Sequence, residues 1–597
     1  MRPLVPARLA FDASGVPRSE EYGDVYHSVD GGVAQARRVF LGGNELPDRW
    51  RGRTSFTIVE TGFGLGINFL AACAALLEDS RAPARLHYVS VEKHPFRKED
   101  LTTALARYPD LCLAGELVAL WPLPLPGFHR LHLARGRVTL TLLLGDAAQL
   151  LPQLEARADA FFLDGFAPEK NPEMWSAAIA RELARLAAPG ATVATWTVAA
   201  SVRTNLANAG FTVSKREGFG RKREMLGGTY AGRGTSAAKP ERSVAIIGAG
   251  IAGSACAERL ASRGREVTVI DRHAGPAQEA SGNPVGLLRP ALHVEDTAIA
   301  RLSRAAIGYA LRQFHTLELS WRQSGVLRLA RDASQMKRFE DAAAANAYPA
   351  EFARLVDGAE ATRITGRAVR GPGWWIPSAA WVSPPALCAA LLGSERIRRV
   401  FSAEAVRLAK SGEGWRVEGK DGVIARAPHV VLANAAEANA LLPGLRLPLT
   451  LVRGQVSFAP KGQKLDVPVS GDGFVAPTAD GFALGATFQI DDMESGPRVA
   501  DHAANLVRAD SLLPGFAEGL DPARLTGRIA FRATTPDRLP IYGELPEHPG
   551  VHAALGLGAN GLLWAPLCAE WLASWMEAEP LPMERDLAAT IGPGRFG

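Results

Sequence analysis

The hydrophobic pattern repeats one arrangement twice: an apolar run, a glycine-rich turn, an apolar helix and a second apolar run that ends in an acidic residue. Short apolar runs bounded by turns predict buried parallel strands. The first copy begins at Ser55 and ends at Glu92, and the second begins at Ser243 and ends at Asp271. The pattern therefore predicts two α/β sheets, each with a nucleotide-binding loop.

The second copy places Gly248, Gly250 and Gly253 directly after its first strand. Glycines allow a tight turn and a close approach of the backbone to a pyrophosphate, and the following helix presents its free N–H groups to that anion. Asp271 stands where a carboxylate accepts a hydrogen bond from a ribose hydroxyl. In this context the motif predicts a dinucleotide site, against the alternative of a plain glycine-rich turn.

The first copy carries a different loop, with Gly62, Gly64 and Gly66 before the helix and Glu92 at the end of the next strand. Such a loop suits S-adenosylmethionine, because glycines admit the amino-acid tail and the acid can bond the ribose hydroxyls. The alternative on this loop alone is a second dinucleotide site.

Two later acids favour the methyl donor. Asp146 follows the strand Val138 to Leu144, where it could accept from an adenine amino group. Asp164 is the last residue of the predicted buried strand Asp159 to Asp164, and a loop with two prolines follows it. Ligands gather at the carboxyl edge of such sheets. Asp164 could therefore orient or deprotonate a nucleophilic amine; the alternative is a helix cap or a turn acid. The order of elements fits a seven-stranded methyltransferase sheet.

A basic run follows the predicted methyltransferase core. It contains five cations and two acids in ten residues, and it includes Phe219 between two glycines. This composition could bind phosphates and stack on a base, although most charge runs are only solvated surfaces. The cations predicted to contact RNA are Lys215, Arg216, Arg221, Lys222 and Arg223.

The overall composition argues against several classes of protein but does not indicate a substrate. The chain has 597 residues, a net charge of +5 and five scattered cysteines. Cysteines without CxxC spacing predict neither a disulfide framework nor a zinc site. No apolar run is long enough to span a bilayer. We therefore expect a cytoplasmic, metal-free protein that acts as a monomer and does not bind membranes.

Several strings in the first half make the chain resemble a known family. These are ETGFGLGINFL, SVEKHPF, DAFFLDGFAPEKNPEMW, ATWTVAASVR and GFTVSKREGFGRKREML. They resemble the methyltransferase half of the MnmC family of bifunctional tRNA-modifying proteins. The resemblance implies that the loop from Gly62 to Gly66, with Glu92 and Asp146, binds S-adenosylmethionine. It also implies that Asp164 faces the aminomethyl group of a wobble uridine.

The second half resembles the D-amino-acid-oxidase-like flavoproteins and, more closely, the oxidoreductase half of the same family. The blocks concerned are EASGNPVGLLRP, GRIAFRATTPDRLPIYG and HAALGLGANGLL. One departure is Ala559-Asn560, where the family usually has Ser-Arg. The resemblance implies FAD as the cofactor of this half, and its predicted contacts are Gly248, Gly250, Gly253, Asp271, Arg272, Ser281, Asn283, Gly286, Gly556, Gly558 and Leu562.

The family resemblance implies two steps on one tRNA nucleoside. The flavin domain removes the carboxymethyl group of a carboxymethylaminomethyl uridine, with glyoxylate as the by-product, and the first domain methylates the resulting amine. A guanidinium can pair with the carboxylate of that glycine-like tail. Arg532 is the first candidate, Arg289 the second and Arg453 the third; the alternative for each is a structural salt bridge.

The predicted domains are a methyltransferase over 1–230, a linker over 231–241 and an FAD-dependent oxidoreductase over 242–597. Within the last, the FAD-binding parts are 242–296, 380–436 and 525–597, and a β-rich substrate lobe covers 297–379 and 437–524. Two alternatives remain open. One is a fused oxidase and N-methyltransferase of small amines, which would not need the basic run. The other is a non-enzymatic RNA-binding module, which would not bind flavin.

Overall fold

The computed structural model describes residues 1, 3–232, 242–462 and 464–596. Contacts between Cα atoms divide the chain into two compact units. One unit holds Met1, Pro240–Ala573 and Leu587–Gly597, and the other holds Arg2–Lys239 together with Ser574–Asp586. Most of the predicted linker, residues 233–241, lies outside the described residues.

The unit that begins at residue 2 is built on an eight-stranded sheet, one strand more than the sequence predicts. The additional strand, Gly127–Leu133, pairs antiparallel with Val138–Leu144 at the sheet edge. Its pattern of mixed polar and apolar residues gives no clear strand signal. In spatial order the strands are Phe211–Phe219, Lys222–Tyr230, Ala187–Thr195, Ala158–Leu163, Ser55–Thr61, Arg85–Glu92, Val138–Leu144 and Gly127–Leu133.

Helices cover both faces of this sheet because its central strands are apolar on both sides. The strand Val138–Leu144 is buried at every position, which is typical of a parallel sheet between helical layers. A separate three-stranded sheet, Ala10–Phe11, Pro17–Ser19 and Asp24–Val25, precedes it. The α-helices are Gly32–Gln35, Ile67–Glu78, Lys98–Leu105, Ala114–Leu120, Ala147–Leu150, Ala177–Leu186 and Ala200–Asn208.

A segment from near the C-terminus, Ser574–Asp586, completes this unit. The Leu581 N–H donates to the Glu155 carbonyl at 2.9 Å, and Arg85 pairs with Glu579 at 3.3 Å. Nothing in the local pattern of residues 574–586 indicates that they pack with a sheet several hundred residues earlier. The unit is therefore discontinuous in the sequence.

The other unit contains the second predicted nucleotide-binding sheet. Its strands lie in the order Ile397–Val400, Glu266–Ile270, Ser243–Ile247, His429–Leu432, Val551–Leu555 and Ile541–Glu544. The first five are parallel, and only Ile541–Glu544 is antiparallel to its neighbour. The α-helices of this unit are Ile251–Ala261, Ala298–Phe314, Ala333–Asn346, Gly358–Thr365, Pro384–Leu391, Ala438–Leu441, Val499–Leu512, Gly561–Met576, whose last residues lie in Ser574–Asp586, and Arg585–Ala589.

A nine-stranded sheet forms the β-rich lobe. Eight strands follow one another as Arg354–Val356, Gly373–Ile376, Val326–Leu329, Val469–Ser470, Phe474–Pro477, Gly481–Gly485, Thr450–Pro460 and Gln489–Ile490, and Thr526–Thr534 pairs with Thr450–Pro460. The strand Thr526–Thr534 was expected in the FAD-binding part, but its hydrogen bonds join it to the lobe. Two three-stranded sheets complete the unit: Gly286–Leu288, Ala380–Val382 and Trp321–Arg322, and then Ala405–Ser411, Gly414–Gly419 and Gly422–Ala427.

Candidate active sites

The carboxyl edge of the eight-stranded sheet opens into a cavity of about 430 Å³. Gly62, Glu92 and Asp146 line it, as the sequence predicts. Tyr22 and Phe166 also line it, and their rings are stacked with centroids 4.6 Å apart. Neither aromatic residue was predicted: residues 1–50, which include Tyr22, show no pattern that indicates a site, and Phe166 was noted only as part of the loop after Asp164. A volume of this size suits a nucleoside-containing ligand.

The acids at this edge are held by backbone N–H groups. Glu92 accepts from Gly64 N–H at 2.8 Å and from His94 N–H at 2.7 Å. Asp146 accepts from Ala148 N–H at 2.9 Å as the cap of a short helix. Each carboxylate oxygen has a second lone pair, so both acids can still accept from hydroxyl or amino groups of a ligand. This donor and acceptor set fits the adenosine part of S-adenosylmethionine.

The three positions of this loop are glycine for different structural reasons. Gly62, Gly64 and Gly66 all have positive φ, at 83°, 52° and 73°. Gly62 lines this cavity, and Gly62 and Gly64 line a smaller cavity beside it, whereas Gly66 lines neither. A Cβ atom at Gly66 would lie 2.7 Å from the Phe63 ring. Gly66 therefore shapes the turn and leaves room for the Phe63 ring.

A smaller cavity of about 80 Å³ adjoins the first, because Tyr26, Gly62, Glu92, Gly165 and Phe166 line both. This small cavity contains the predicted catalytic acid. The side chains that line only this cavity and can form hydrogen bonds are His27, Gln35, Asn68 and Asp164.

Asp164 is fixed on both carboxylate oxygens. Oδ1 accepts from Gly165 N–H at 2.8 Å, and Oδ2 accepts from the Asn68 amide at 2.8 Å. Burial raises the pKa of Asp164 to about 6; the Gly165 and Asn68 hydrogen bonds oppose that rise, and the nearby Glu92 charge adds to it. Asp164 is therefore mostly ionised at neutral pH and still basic enough to take a proton.

The basic run forms a hairpin of the strands Phe211–Phe219 and Lys222–Tyr230. Two of the five predicted RNA-contacting cations are paired with acids: Lys215 with Glu224 at 2.7 Å, and Arg216 with Glu45 at 3.8 Å. Lys222 lies 5.0 Å from the centre of the Trp196 ring. Arg221 and Arg223 are exposed.

The parallel sheet of the other unit opens into a larger cavity, of about 740 Å³. All the predicted FAD contacts except Gly253 line it: Gly248, Gly250, Asp271, Arg272, Ser281, Asn283, Gly286, Gly556, Gly558 and Leu562. A Cβ atom at Gly253 would lie 1.9 Å from the Gly248 carbonyl oxygen. Gly253 therefore serves the close packing of helix on strand.

Local contacts at this cavity fit a dinucleotide. Asp271 accepts from Ala249 N–H at 2.7 Å and from His273 N–H at 2.9 Å, which orients the carboxylate. Arg272 is held by Glu279 and Glu437. The Asn434 side-chain oxygen is buried at the cavity wall without a hydrogen-bond partner among the described residues, and such an acceptor suits a ligand hydroxyl. Residues of the cavity therefore fit FAD.

Arg532 lines the cavity and has a guanidinium nitrogen, Nη1, that is buried without a hydrogen-bond partner among the described residues. Burial lowers its pKa. Its Cζ lies 4.9 Å from the centre of the Phe488 ring. A Cβ atom at Gly454 would lie 2.2 Å from Nη1, so the missing side chain of Gly454 makes room for the guanidinium. Neither Phe488 nor Gly454 was predicted.

Arg289, the second candidate, also lines this cavity. Burial and the neighbouring Arg328 charge lower the pKa of Arg289 to about 10, so it stays charged at neutral pH. Arg453, the third candidate, is fully buried and pairs with Asp501 at 2.7 Å. Arg453 does not line the cavity, and its structural salt bridge was the alternative stated for it.

The described residues contain neither a membrane-spanning helix nor a metal-binding cluster. Among residues 1, 3–232, 242–462 and 464–596, no helix is both long and apolar enough to cross a bilayer. The same residues contain no group of three or more His, Cys, Asp or Glu side chains placed to hold a metal ion.

Known families match both units. Residues 243–575 match the FAD dependent oxidoreductase family, and residues 112–231 match an S-adenosyl-L-methionine-dependent methyltransferase family. Glycine oxidase from Geobacillus kaustophilus superposes with a TM-score of 0.51 at 22% identity, covering 57% of this chain and 97% of its own; this likeness concerns the fold. Fold and sites thus define a bifunctional enzyme, a SAM-dependent methyltransferase joined to an FAD-dependent oxidoreductase.

Full-length relatives specify the family. The tRNA 5-methylaminomethyl-2-thiouridine biosynthesis bifunctional protein MnmC of Azoarcus sp. is 48% identical, covering 100% of this chain and 98% of its own. That of Thiobacillus denitrificans is 45% identical, covering 100% and 99%. The chain belongs to the MnmC family of bifunctional tRNA-modifying enzymes.

Proposed function

We propose that the chain converts a carboxymethylaminomethyl uridine, or its 2-thio form, at the tRNA wobble position into the methylaminomethyl nucleoside in two steps. The FAD-dependent unit removes the carboxymethyl group, and the methyltransferase unit methylates the amine that results. The observation that supports this most directly is the presence of two different cofactor-sized cavities, one lined by Arg289 and Arg532 and the other adjoined by the small cavity that contains Asp164. The enzyme is proposed to work as a cytoplasmic monomer.

In the oxidation step, FAD when bound supplies the two-electron oxidation of the substrate C–N bond. Gly248, Gly250 and Asp271 would hold its phosphates and ribose at the N-terminus of the helix Ile251–Ala261. Arg532 binds the carboxylate of the glycine-like tail through its buried Nη1, which has no hydrogen-bond partner among the described residues. Arg289 adds a second positive charge to the same cavity.

In the methylation step, S-adenosylmethionine when bound supplies the methyl group, and Glu92 and Asp146 would hold its ribose and adenine. Asp164 accepts an N–H of the substrate amine and fixes its orientation. An alkylammonium in water keeps its proton at neutral pH, so it must lose that proton before the nitrogen can act as a nucleophile. Asp164 is the titratable side chain in the small cavity best placed to take it.

Nucleoside analysis of tRNA tests the proposal directly. Undermodified tRNA carrying the carboxymethylaminomethyl uridine is incubated with FAD-loaded protein, first without and then with S-adenosylmethionine. We expect aminomethyl uridine to accumulate in the first incubation and methylaminomethyl uridine in the second. Reduction of the flavin by glycine or sarcosine, with no change in the tRNA, would instead favour a small-amine oxidase.

Substitution of Gly250 by leucine is expected to separate the two activities. Gly250 precedes the helix Ile251–Ala261 and lines the large cavity, and even a Cβ atom there lies 3.3 Å from Ser281 Oγ. A leucine side chain would occupy the space proposed for the pyrophosphate. The purified variant should lack the visible absorbance of a bound flavin at about 450 nm. It should still methylate aminomethyl-tRNA. A yellow variant would contradict this placement of FAD.

Neutralising Arg221 and Arg223 together, as glutamines, is expected to weaken tRNA binding without changing flavin content. Each cation that neutralises a phosphate contributes about 0.7–0.9 to the slope of log K against log salt. The double variant should therefore lose about 1.5 from that slope. Filter binding at roughly 50 to 200 mM salt measures the slope in the range where phosphate contacts dominate.

A matched control is available at the other edge of the same sheet. Arg135 and Arg137 are also exposed and two residues apart, in the turn before the strand Val138–Leu144. Their double substitution by glutamine removes the same charge and should leave the salt slope unchanged. Equal losses in both double variants would mean that only net charge matters.

A further inference from the structure

The amide group of Asn68 joins a fully buried carboxyl group and a half-buried one in the methyltransferase unit. Its Nδ2 donates to Glu60 Oε1 at 3.0 Å and to Asp164 Oδ2 at 2.8 Å. Glu60 is fully buried, and its other oxygen accepts from Ser90 Oγ at 2.7 Å. The network has the order Ser90, Glu60, Asn68, Asp164, and it ends in the small cavity.

These contacts decide which way the Asn68 amide points. One amide atom contacts both carboxyl groups, and ionised Asp164 can only accept there, so that atom is the nitrogen. Both amide hydrogens are then used, and the carbonyl Oδ1 is directed away from the acids. No described residue donates a hydrogen bond to Oδ1, and Asn68 lines the small cavity beside Asp164.

We propose that Asn68 Oδ1 is the second acceptor for the substrate amine, and that Glu60 is a positioning residue that fixes it. The inference rests on the proposed methylation of an aminomethyl group. A neutral amine has two N–H donors and one lone pair. Two acceptors, Asp164 and Asn68 Oδ1, hold both hydrogens and leave the lone pair to point in the remaining direction.

The proton transfer balances within this arrangement. The substrate enters as an ammonium, one N–H bond breaks, and an O–H bond forms on Asp164. Asp164 then releases that proton to solvent, so that its carboxylate again accepts an N–H of the neutral amine during methyl transfer. In the transfer step the N–C bond forms as the C–S⁺ bond breaks, the electron pair stays on sulfur, and the product leaves as a secondary ammonium. Asn68 Oδ1 accepts a hydrogen bond throughout and takes no proton.

Glu60 suits a positioning part because it need not be ionised. Burial raises the pKa of Glu60 to about 8, and the nearby Asp164 charge adds to the rise, while hydrogen bonds from Ser90 and Asn68 oppose it. A neutral Glu60 still accepts from Asn68 through its carbonyl oxygen. The charged or titratable groups that face Asp164 are Glu60, Glu92, His27, Tyr26 and Tyr88, and burial lowers the pKa of His27.

Steady-state methylation of aminomethyl-tRNA by the full FAD-loaded chain tests the inference. We expect Asn68→Ala to lower kcat on the order of 10–10²-fold, as for loss of one positioned polar contact, with S-adenosylmethionine affinity changed less than about threefold. The acid limb of the pH–rate profile should move to higher pH, because the lost Asn68 hydrogen bond lowers the pKa of Asp164 in the parent. Glu60→Ala removes the acceptor for the Asn68 amide and should lower kcat at pH 7, whereas Glu60→Gln keeps an acceptor there and should recover most of that loss.

A readout without methyl transfer separates positioning from general damage. Affinity for aminomethyl-tRNA relative to tRNA with unmodified uridine, measured without the methyl donor, should fall in Asn68→Ala. Asn205→Ala is the control, because the Asn205 amide donates a hydrogen bond to the Trp175 carbonyl at 2.9 Å and Asn205 lines neither cavity of this unit. That variant should keep both values.

Two results would overturn the inference. One is an Asn68→Ala enzyme with parental kcat and an unmoved acid limb. The other is a loss explained wholly by weaker binding of S-adenosylmethionine, which would place Asn68 on the methyl donor. Failure of the parent enzyme itself to methylate aminomethyl-tRNA would instead refute the proposed function, so the two failures are distinguishable.

Discussion

Asp164→Ala is expected to lower the rate of methyl transfer by about 10²–10⁴-fold, the usual contribution of a positioned acid or base. Aminomethyl uridine should then accumulate in tRNA, because the FAD-dependent unit is untouched. Nucleoside analysis by liquid chromatography and mass spectrometry measures both species in one sample. Oxidation by the same variant is its internal control, and normal methylation in Asp164→Ala would refute the assignment.

The pH dependence of the parent enzyme follows from the same group. Methylation needs ionised Asp164, whose pKa is raised by burial to about 6. The rate should therefore fall about tenfold per pH unit well below 6 and level off above it. Asp164→Asn cannot take a proton, so its residual rate should lose this acid limb.

Arg532→Ala is expected to lower kcat/KM for oxidation by on the order of 10²–10³-fold. Truncation of one partner of a buried charge pair costs about 2–5 kcal/mol, and Arg532 is placed to pair with the substrate carboxylate. Carboxymethylaminomethyl uridine should accumulate, while added aminomethyl-tRNA is still methylated. Stopped-flow reduction of the flavin under anaerobic conditions measures the oxidation step alone.

Two further variants interpret that result. Arg524, just before the strand that holds Arg532, has an 86% exposed side chain, so Arg524→Ala should keep parental oxidation and retain its flavin. Arg289→Ala removes the other guanidinium of the cavity and should have a smaller effect than Arg532→Ala. Parental turnover in Arg532→Ala with a large loss in Arg289→Ala would transfer the carboxylate contact to Arg289.

Much of the fold could be predicted because its signals are local. A buried strand, its glycine turn, the helix and the terminal acid lie within about thirty residues, so Gly250 and Asp271 could be placed from pattern alone. The strand Val138–Leu144 was confirmed at its predicted bounds. The eighth strand was missed because Gly127–Leu133 mixes histidine and arginine with apolar residues at an edge.

The site was less predictable where side chains meet across elements. Arg453 and Arg532 lie on neighbouring strands, each directly after an apolar residue, yet of the two only Arg453 pairs with an acid, Asp501, among the described residues. The sequence around Gly454 does not show that this glycine makes room for the Arg532 guanidinium. Asn68 lies in the helix after the glycine turn, and only the folded sheet brings it between two acids. Such contacts depend on register, which a single sequence does not specify.

The discontinuity of the methyltransferase unit has a consequence during protein synthesis. Domains fold as units as the ribosome releases them, N-terminal parts first. Here the segment Ser574–Asp586, which completes the methyltransferase unit, emerges only after Pro240–Ala573 of the other unit. We therefore expect the methyltransferase unit to reach its final structure only after most of the oxidoreductase unit has been synthesised.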